Sequence, residues 1–196
     1  MRFLIYPLVL VFSILSGPFA AALAESEAPF GLSWGVSAEQ LKASGVGLQL
    51  RLPDNTGVRF AAANLPKALS DLGEAILSFG NNDKLHKIEA ISEDVTNDPA
   101  GIRLKARYAT LSRALTRKYG KGVTRHKILE PWTRRNDFLT GIYRGSSRYY
   151  TDFIGENVTI RLKIRASRRG TSNYVLTFQH KKIPRGNGVP SEKDVL

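Results

Sequence analysis

The sequence predicts an α+β domain, a mostly antiparallel sheet packed against one long and one short helix. Three observations predict it. Apolar and polar residues alternate in short runs at both ends of the chain: Leu48, Leu50 and Leu52 near the start, Val158, Ile160, Leu162 and Ile164 near the end. Between them Leu104, Tyr108, Leu111, Leu115 and Tyr119 recur at steps of 4, 3, 4 and 4, one stripe of an α-helix. Clusters rich in glycine, asparagine and aspartate separate the alternating runs at hairpin length, which favours antiparallel neighbours over crossovers.

The N-terminus reads as an export signal. Met1-Arg2 precedes an apolar run from Phe3 to Leu15, Gly17 and Pro18 break it, and Ala22-Leu23-Ala24 places small side chains three and one residues before Glu25. Residues 1–24 are therefore expected to be removed after Ala24, which leaves 196 − 24 = 172 residues and a periplasmic or secreted bacterial protein. The competing reading is an uncleaved anchor, since the apolar stretch is close to the roughly 20 residues that cross a bilayer.

In the expected domain, residues 25–183, Phe30, Leu32 and Trp34 alternate and predict a strand over 29–35. Ser37 with Gln40 has capping-box spacing, and Gly45 follows, so a short helix is expected over 38–44. A second strand runs through Leu48–Leu52, Pro53-Asp54-Asn55-Thr56-Gly57 turns, and a third strand covers 58–63. Residues 65–71 read as loop. A hairpin is expected from 74–79 and 85–95, closed by Gly80-Asn81-Asn82-Asp83-Lys84. The long helix should span 98–119 and stop at Gly120. Residues 121–156 stay open: Trp132 is expected in the core, and 138–143 fits a short helix or a strand. Two strands, 157–165 and one through Tyr174, Leu176 and Phe178, close the domain. The Pro- and Gly-rich residues 184–196 read as a mobile tail.

Composition restricts function. The chain is 42% hydrophobic and 23% charged, as globular proteins are. With no cysteine there is no disulfide, thiolate nucleophile, Cys-ligated metal or lipid-bearing N-terminal cysteine. Removing Arg2 leaves 28 basic against 17 acidic residues, a net charge near +11, which suits an anionic partner. The most concentrated basic feature is Arg161, Lys163 and Arg165 on one strand face, continued by Arg168 and Arg169. Arg103 with Arg107, and Arg113 with Arg117, add i,i+4 pairs on the polar side of the long helix. An acidic protein or an anionic lipid is the expected partner of the strand face; a solvated surface that keeps the protein soluble is the alternative. Nucleic acid fits poorly with export and with the lack of a stacking motif. A second candidate surface is the segment Tyr143-Arg144-Gly145-Ser146-Ser147-Arg148-Tyr149-Tyr150, whose Tyr/Arg composition is that of interface hot spots; a loop folded over the core is its alternative.

Catalytic readings find little purchase. His86, His126 and His180 have no ligand spacing to one another and are expected at the surface or at strand edges. No Gly-x-Ser-x-Gly or His-Glu-x-x-His motif occurs. Glu89 with Glu93, expected on one strand face, and Asp152 with Glu156 are carboxylate pairs of a kind that chance supplies. Gly120-Lys121-Gly122 follows a helix instead of opening one and reads as a helix stop, not a phosphate loop. No cofactor and no metal are expected, and no enzymatic activity.

Phe30-Gly31-Leu32-Ser33-Trp34-Gly35-Val36-Ser37 before a short helix, and Leu115-Thr116-Arg117-Lys118-Tyr119-Gly120-Lys121 at the end of a longer one, resemble a broad group of small exported bacterial proteins of unassigned function. The opening is also distantly similar to the outer-membrane assembly lipoproteins typified by BamE, without their lipidated cysteine. That resemblance implies an α+β adaptor or binding domain and assigns no catalytic residue. The expected function is that of a non-enzymatic cell-envelope adaptor acting through the basic strand face; an immunity protein that blocks a toxin delivered to the periplasm is the alternative, and an envelope hydrolase ranks third.

Overall fold

Eight strands, counted among the described residues, form one antiparallel sheet in the order β1-β2-β3-β4-β8-β7-β6-β5. They are β1 (Gly47–Asp54), β2 (Gly57–Ala63), β3 (Leu72–Phe79), β4 (Leu85–Ser92), β5 (Val123–Lys127), β6 (Arg148–Ile154), β7 (Val158–Ala166) and β8 (Ser172–His180). Three helices, α1 (Ala38–Ala43), α2 (Ile102–Tyr119) and α3 (Phe138–Tyr143), complete the α+β fold. The computed structural model describes residues 27–54, 57–80, 82–130, 137–167 and 170–184. The expected signal segment 1–24, Trp132, Arg168, Arg169 and tail residues 185–196 lie outside the described residues. No described helix is long and apolar enough to cross a membrane.

The strand order is a palindrome. Each half of the chain is a helix, a three-residue link (44–46 or 120–122) and a four-strand meander, and the halves meet at β4–β8. The second half carries α3 inserted between its first two strands.

All three helices pack on one face. Leu77, Ile88, Phe178, Ile160 and Phe153 lie opposite one another across five strands on that face, and with Leu41, Leu104, Tyr108, Leu111, Leu115 and Phe138 they form one buried cluster. The predicted stripe of α2 is its buried side. Gly120, at φ 82°, accepts the left-handed conformation that ends α2, and its N–H donates to Thr116 O.

Three local expectations are corrected. Residues 29–35 are not a strand: Pro29–Gly31 form a single 3-10 turn, in which Phe30 takes φ 63°. That turn swings Phe30 edge-on to Phe178 at 5.9 Å and delivers Trp34 to the core, so the alternation reflects burial, not pairing. The long helix starts at Ile102, not at Asp98. Asp98 instead caps it, accepting from Ile102 N (2.7 Å) and Leu104 N (3.2 Å), because Gly101 at the N-cap has no side chain to do so. Strand β4 ends at Ser92, and Val95 returns only as an isolated bridge to Ser172. The open region resolves as β5, α3 and β6, with 138–143 helical under an Asp137 cap.

Candidate functional site

With every described helix on one face, no described helix covers the other face of the sheet. Cross-strand registration fixes who shares it. One row runs Val123, Asp152, Arg161, Thr177, Glu89, Ile76, Ala61 and Gln49 across all eight strands. Its neighbour runs Arg125, Tyr150, Lys163, Val175 and Ile91. Arg161, Lys163 and Arg165 are all exposed here, as the period of two requires.

Charge is distributed unevenly over this open face. The first half contributes Arg51, Arg59 and Lys87 against Glu74 and Glu89; the second contributes Arg125, Lys127, Arg148, Arg161, Lys163 and Arg165 against Asp152. All three carboxylates are engaged. Glu74 pairs with Arg51, Glu89 takes Lys87 (3.1 Å) and Arg59 (3.3 Å), and Asp152 is gripped by Arg161 through two hydrogen bonds of 2.6 and 2.9 Å. The Arg161 guanidinium also sits 4.7 Å from the Tyr150 ring centre. The Asp152 carboxylate raises the Arg161 pKa, so Arg161 stays charged and fixed.

The expected ribbon is thereby revised. Arg161 is internally paired, whereas Lys163 and Arg165 have no carboxylate within ion-pair distance among the described residues, and neither do Arg125, Lys127 and Arg148. The Tyr/Arg segment also divides. Arg148 and Tyr150 point to the open face beside Lys163. Tyr149 alternates inward and stacks on His126 at 3.5 Å, edge-on to Tyr108 and Phe138. Tyr143, exposed, ends α3, and Arg144 caps it with an N–H to Thr140 O at 2.9 Å. Alternation along β6, had its start been legible, would have sorted these residues. Sequence reasoning missed Arg125 and Lys127, whose face depends on β5 pairing with β6.

Depressions mark the open face, one of about 740 Å³ over Gln49, Arg51, Ala61 and Glu74 at its β1 side and two further along. One of about 490 Å³ lies at the centre of the sheet, over Lys87, Glu89, Asp152, Arg161, Thr177 and Gln179. A second, of about 410 Å³, opens where β6 parts from β7: pairing starts only at Tyr150–Lys163, so Arg148 has no β7 partner. Arg148 and Lys163 stand at its mouth and Ile142 and Ile164 form part of its wall.

His86 and His180 are more buried than expected, whereas His126 lies on the exposed edge strand β5. His86 is fully buried, because a bulge sets Leu85 and His86 against Phe79 and brings the imidazole Nδ1 to 3.0 Å from Gln179 Nε2. His126 joins a polar cluster beneath α2. The Tyr108 hydroxyl donates to Thr151 Oγ1 (2.7 Å), which is 3.1 Å from Thr124 Oγ1, and His126 Nε2 lies 3.4 Å from the Tyr108 oxygen. Burial raises the Tyr108 and Tyr149 pKa values and lowers that of His126. His180 is buried against Trp34, and its Nδ1 accepts from Lys182 N (3.3 Å) and Ile183 N (3.1 Å). Burial, then Lys182, lowers its pKa.

Both lowered histidines favour the neutral ring in the folded state. The unfolded chain therefore binds more protons below about pH 6.5, and stability is present above that pH and declines as pH falls through the lowered folded values. Urea midpoints should drop between pH 7.5 and 5.5, and the His126→Gln/His180→Gln double variant should show a flatter dependence; equal slopes would refute the assignment.

The carboxylate pairs do not assemble an acid/base site. Glu89 is held by two cations, Glu93 lies beyond β4 with its N–H on Asp71 O, and Asp152 faces Arg161 rather than Glu156. Arg107, expected on the polar side of the long helix, makes two 2.7 Å hydrogen bonds to Asp71. No protein-family model matches the chain, and no curated protein and no solved structure matches it.

Proposed function

We propose that the chain is a non-enzymatic binding protein of the bacterial cell envelope that engages an anionic partner through the open face of its sheet. The observation that carries this reading is the charge inventory of that face: among the described side chains, nine cations against three carboxylates, with all three carboxylates already engaged internally. Solubility alone asks for dispersed charge of both signs, and here five cations with no carboxylate in ion-pair distance among the described residues collect on β5, β6 and β7. Such a surface accelerates encounter with an anionic partner and sets its orientation.

A photo-crosslinking side chain placed at Thr177, at the centre of the open face, tests this directly in the envelope of the source cell. Thr177 should capture a discrete product that diminishes at high salt, while the same group at Thr110, on the exposed side of α2, should not. Capture from Thr110 alone, or equally from both, would reject the open face. The identity of the captured protein also separates an envelope adaptor from an immunity protein.

A further inference from the structure

We infer that the occupant of the open face is an acidic protein, seated on Arg125, Arg148, Lys163 and Arg165 around Tyr150, and that Arg161 is a positioning residue outside the contact. This rests on the reading of the open face as the binding surface, and it adds the chemical class of the partner and the anchor.

Shape favours a protein over a membrane. Seven inter-strand spacings of about 4.8 Å make the face about 34 Å across, and its strands run about 25 Å, a footprint of the order of the 800 Å² per partner that a specific protein complex needs. A sheet of this width accumulates a large twist, about 20° per strand, and a saddle meets a flat bilayer only along a ridge.

The chemistry points the same way. The carboxylates of Glu89 and Asp152 at the centre of the face would meet anionic head groups, whereas a protein surface can place its own polar groups there. The cations also have a protein-like spacing. Lys163 and Arg165 are two residues apart on one strand, about 6.8 Å, which matches carboxylates at alternate positions of an extended segment. The neighbouring Arg148–Lys163 cleft, with its cationic mouth and its Ile142 and Ile164 wall, takes a carboxylate next to an apolar side chain. Asp94, hydrogen-bonded to Asn173, borders this quarter without pairing to Arg165. Tyr150, steadied by Arg161, supplies the rigid aromatic that such anchors use.

The test uses the full chain and two probes: a labelled peptide of alternating Glu and Val followed by fluorescence anisotropy, and phosphatidylglycerol vesicles followed by co-sedimentation. The peptide should bind and the vesicles should not at physiological salt. Arg148→Glu/Lys163→Glu should weaken the peptide at least tenfold, Arg148→Gln/Lys163→Gln should weaken it less, Arg161→Gln, which frees Asp152 and loosens Tyr150, should weaken it without reaching the effect of the charge reversal, and Arg113→Gln, on the exposed side of α2, should change it less than twofold. All four side chains in the anchor are exposed, so the thermal melts should match the parent. Vesicle binding without peptide binding overturns the protein partner and leaves the anionic-partner reading standing. Binding of neither probe overturns both readings. Peptide binding that survives charge reversal, or that falls in Arg113→Gln as far as in Arg148→Glu/Lys163→Glu, overturns the anchor.

Discussion

Leu104→Asp is expected to leave the domain largely unfolded. Leu104 is 1% exposed in the hydrophobic cluster that joins α2 to the sheet, and its N–H already meets the Asp98 carboxylate, so a second carboxylate there would face a charge of the same sign. A charge without a partner in such a site, added to the lost packing, costs about 4 kcal/mol or more, comparable to the whole stability of a marginal domain. Arg113→Asp, on the exposed side of the same helix, is the control and should shift stability by about 0.5 kcal/mol or less. Urea denaturation followed by circular dichroism reads both; a cooperative Leu104→Asp variant with a parental midpoint would mean that the buried side of α2 is misassigned.

The next largest effect should come from Asp71→Asn. Asp71 sits in the turn before β3, where its carboxylate accepts two 2.7 Å hydrogen bonds from Arg107 of α2 and one of 2.8 Å from the Tyr174 hydroxyl of β8. One carboxylate thus ties a loop of the first half of the chain to a helix and a strand of the second. Because both partners of the ion pair are about one third exposed, solvent screening discounts the pair, and a loss of about 2 kcal/mol is expected from the weakened charge-assisted hydrogen bonds. That corresponds to a fall in Tm of about 4–8 °C for a domain of this size. The pH dependence supplies an independent check. The Arg107 hydrogen bonds hold the Asp71 pKa below its ordinary value of 3.8, so the stabilisation is present above that pH and disappears as pH falls through the lowered value. The difference between parent and variant should therefore shrink below about pH 4, and a difference that stayed constant would point to packing rather than charge.

Sequence alone specified those parts of the fold whose period is regular. The α2 stripe, β7 and β8 alternate or repeat without interruption, and the α+β class follows from them. What failed was local conformation imposed by tertiary contact. The Phe30 backbone at positive φ is held by packing against Phe178, nearly 150 residues away, and nothing in the local pattern announces it. Strand β5 is short and exposed along its whole length, so it has no apolar face to betray it. For the candidate site, the face of Arg161, Lys163 and Arg165 was legible because alternation assigns faces. Which of the three was already neutralised was not, because Asp152 meets Arg161 only through the β6–β7 register.

The palindromic strand order also bears on how the chain reaches its native state. Within each meander, strands pair with their neighbours in sequence, and such contacts close quickly because the connecting loops are short. The β4–β8 seam is different: Ile88 meets Phe178 ninety positions away, and every other pairing of that ladder spans a comparable distance. The entropy of closing the chain is thus concentrated in one ladder, while the remaining ladders of the sheet are local or, at β5–β6, span only the α3 insertion. The seam's residues are where the rate of folding, as opposed to its final stability, is set.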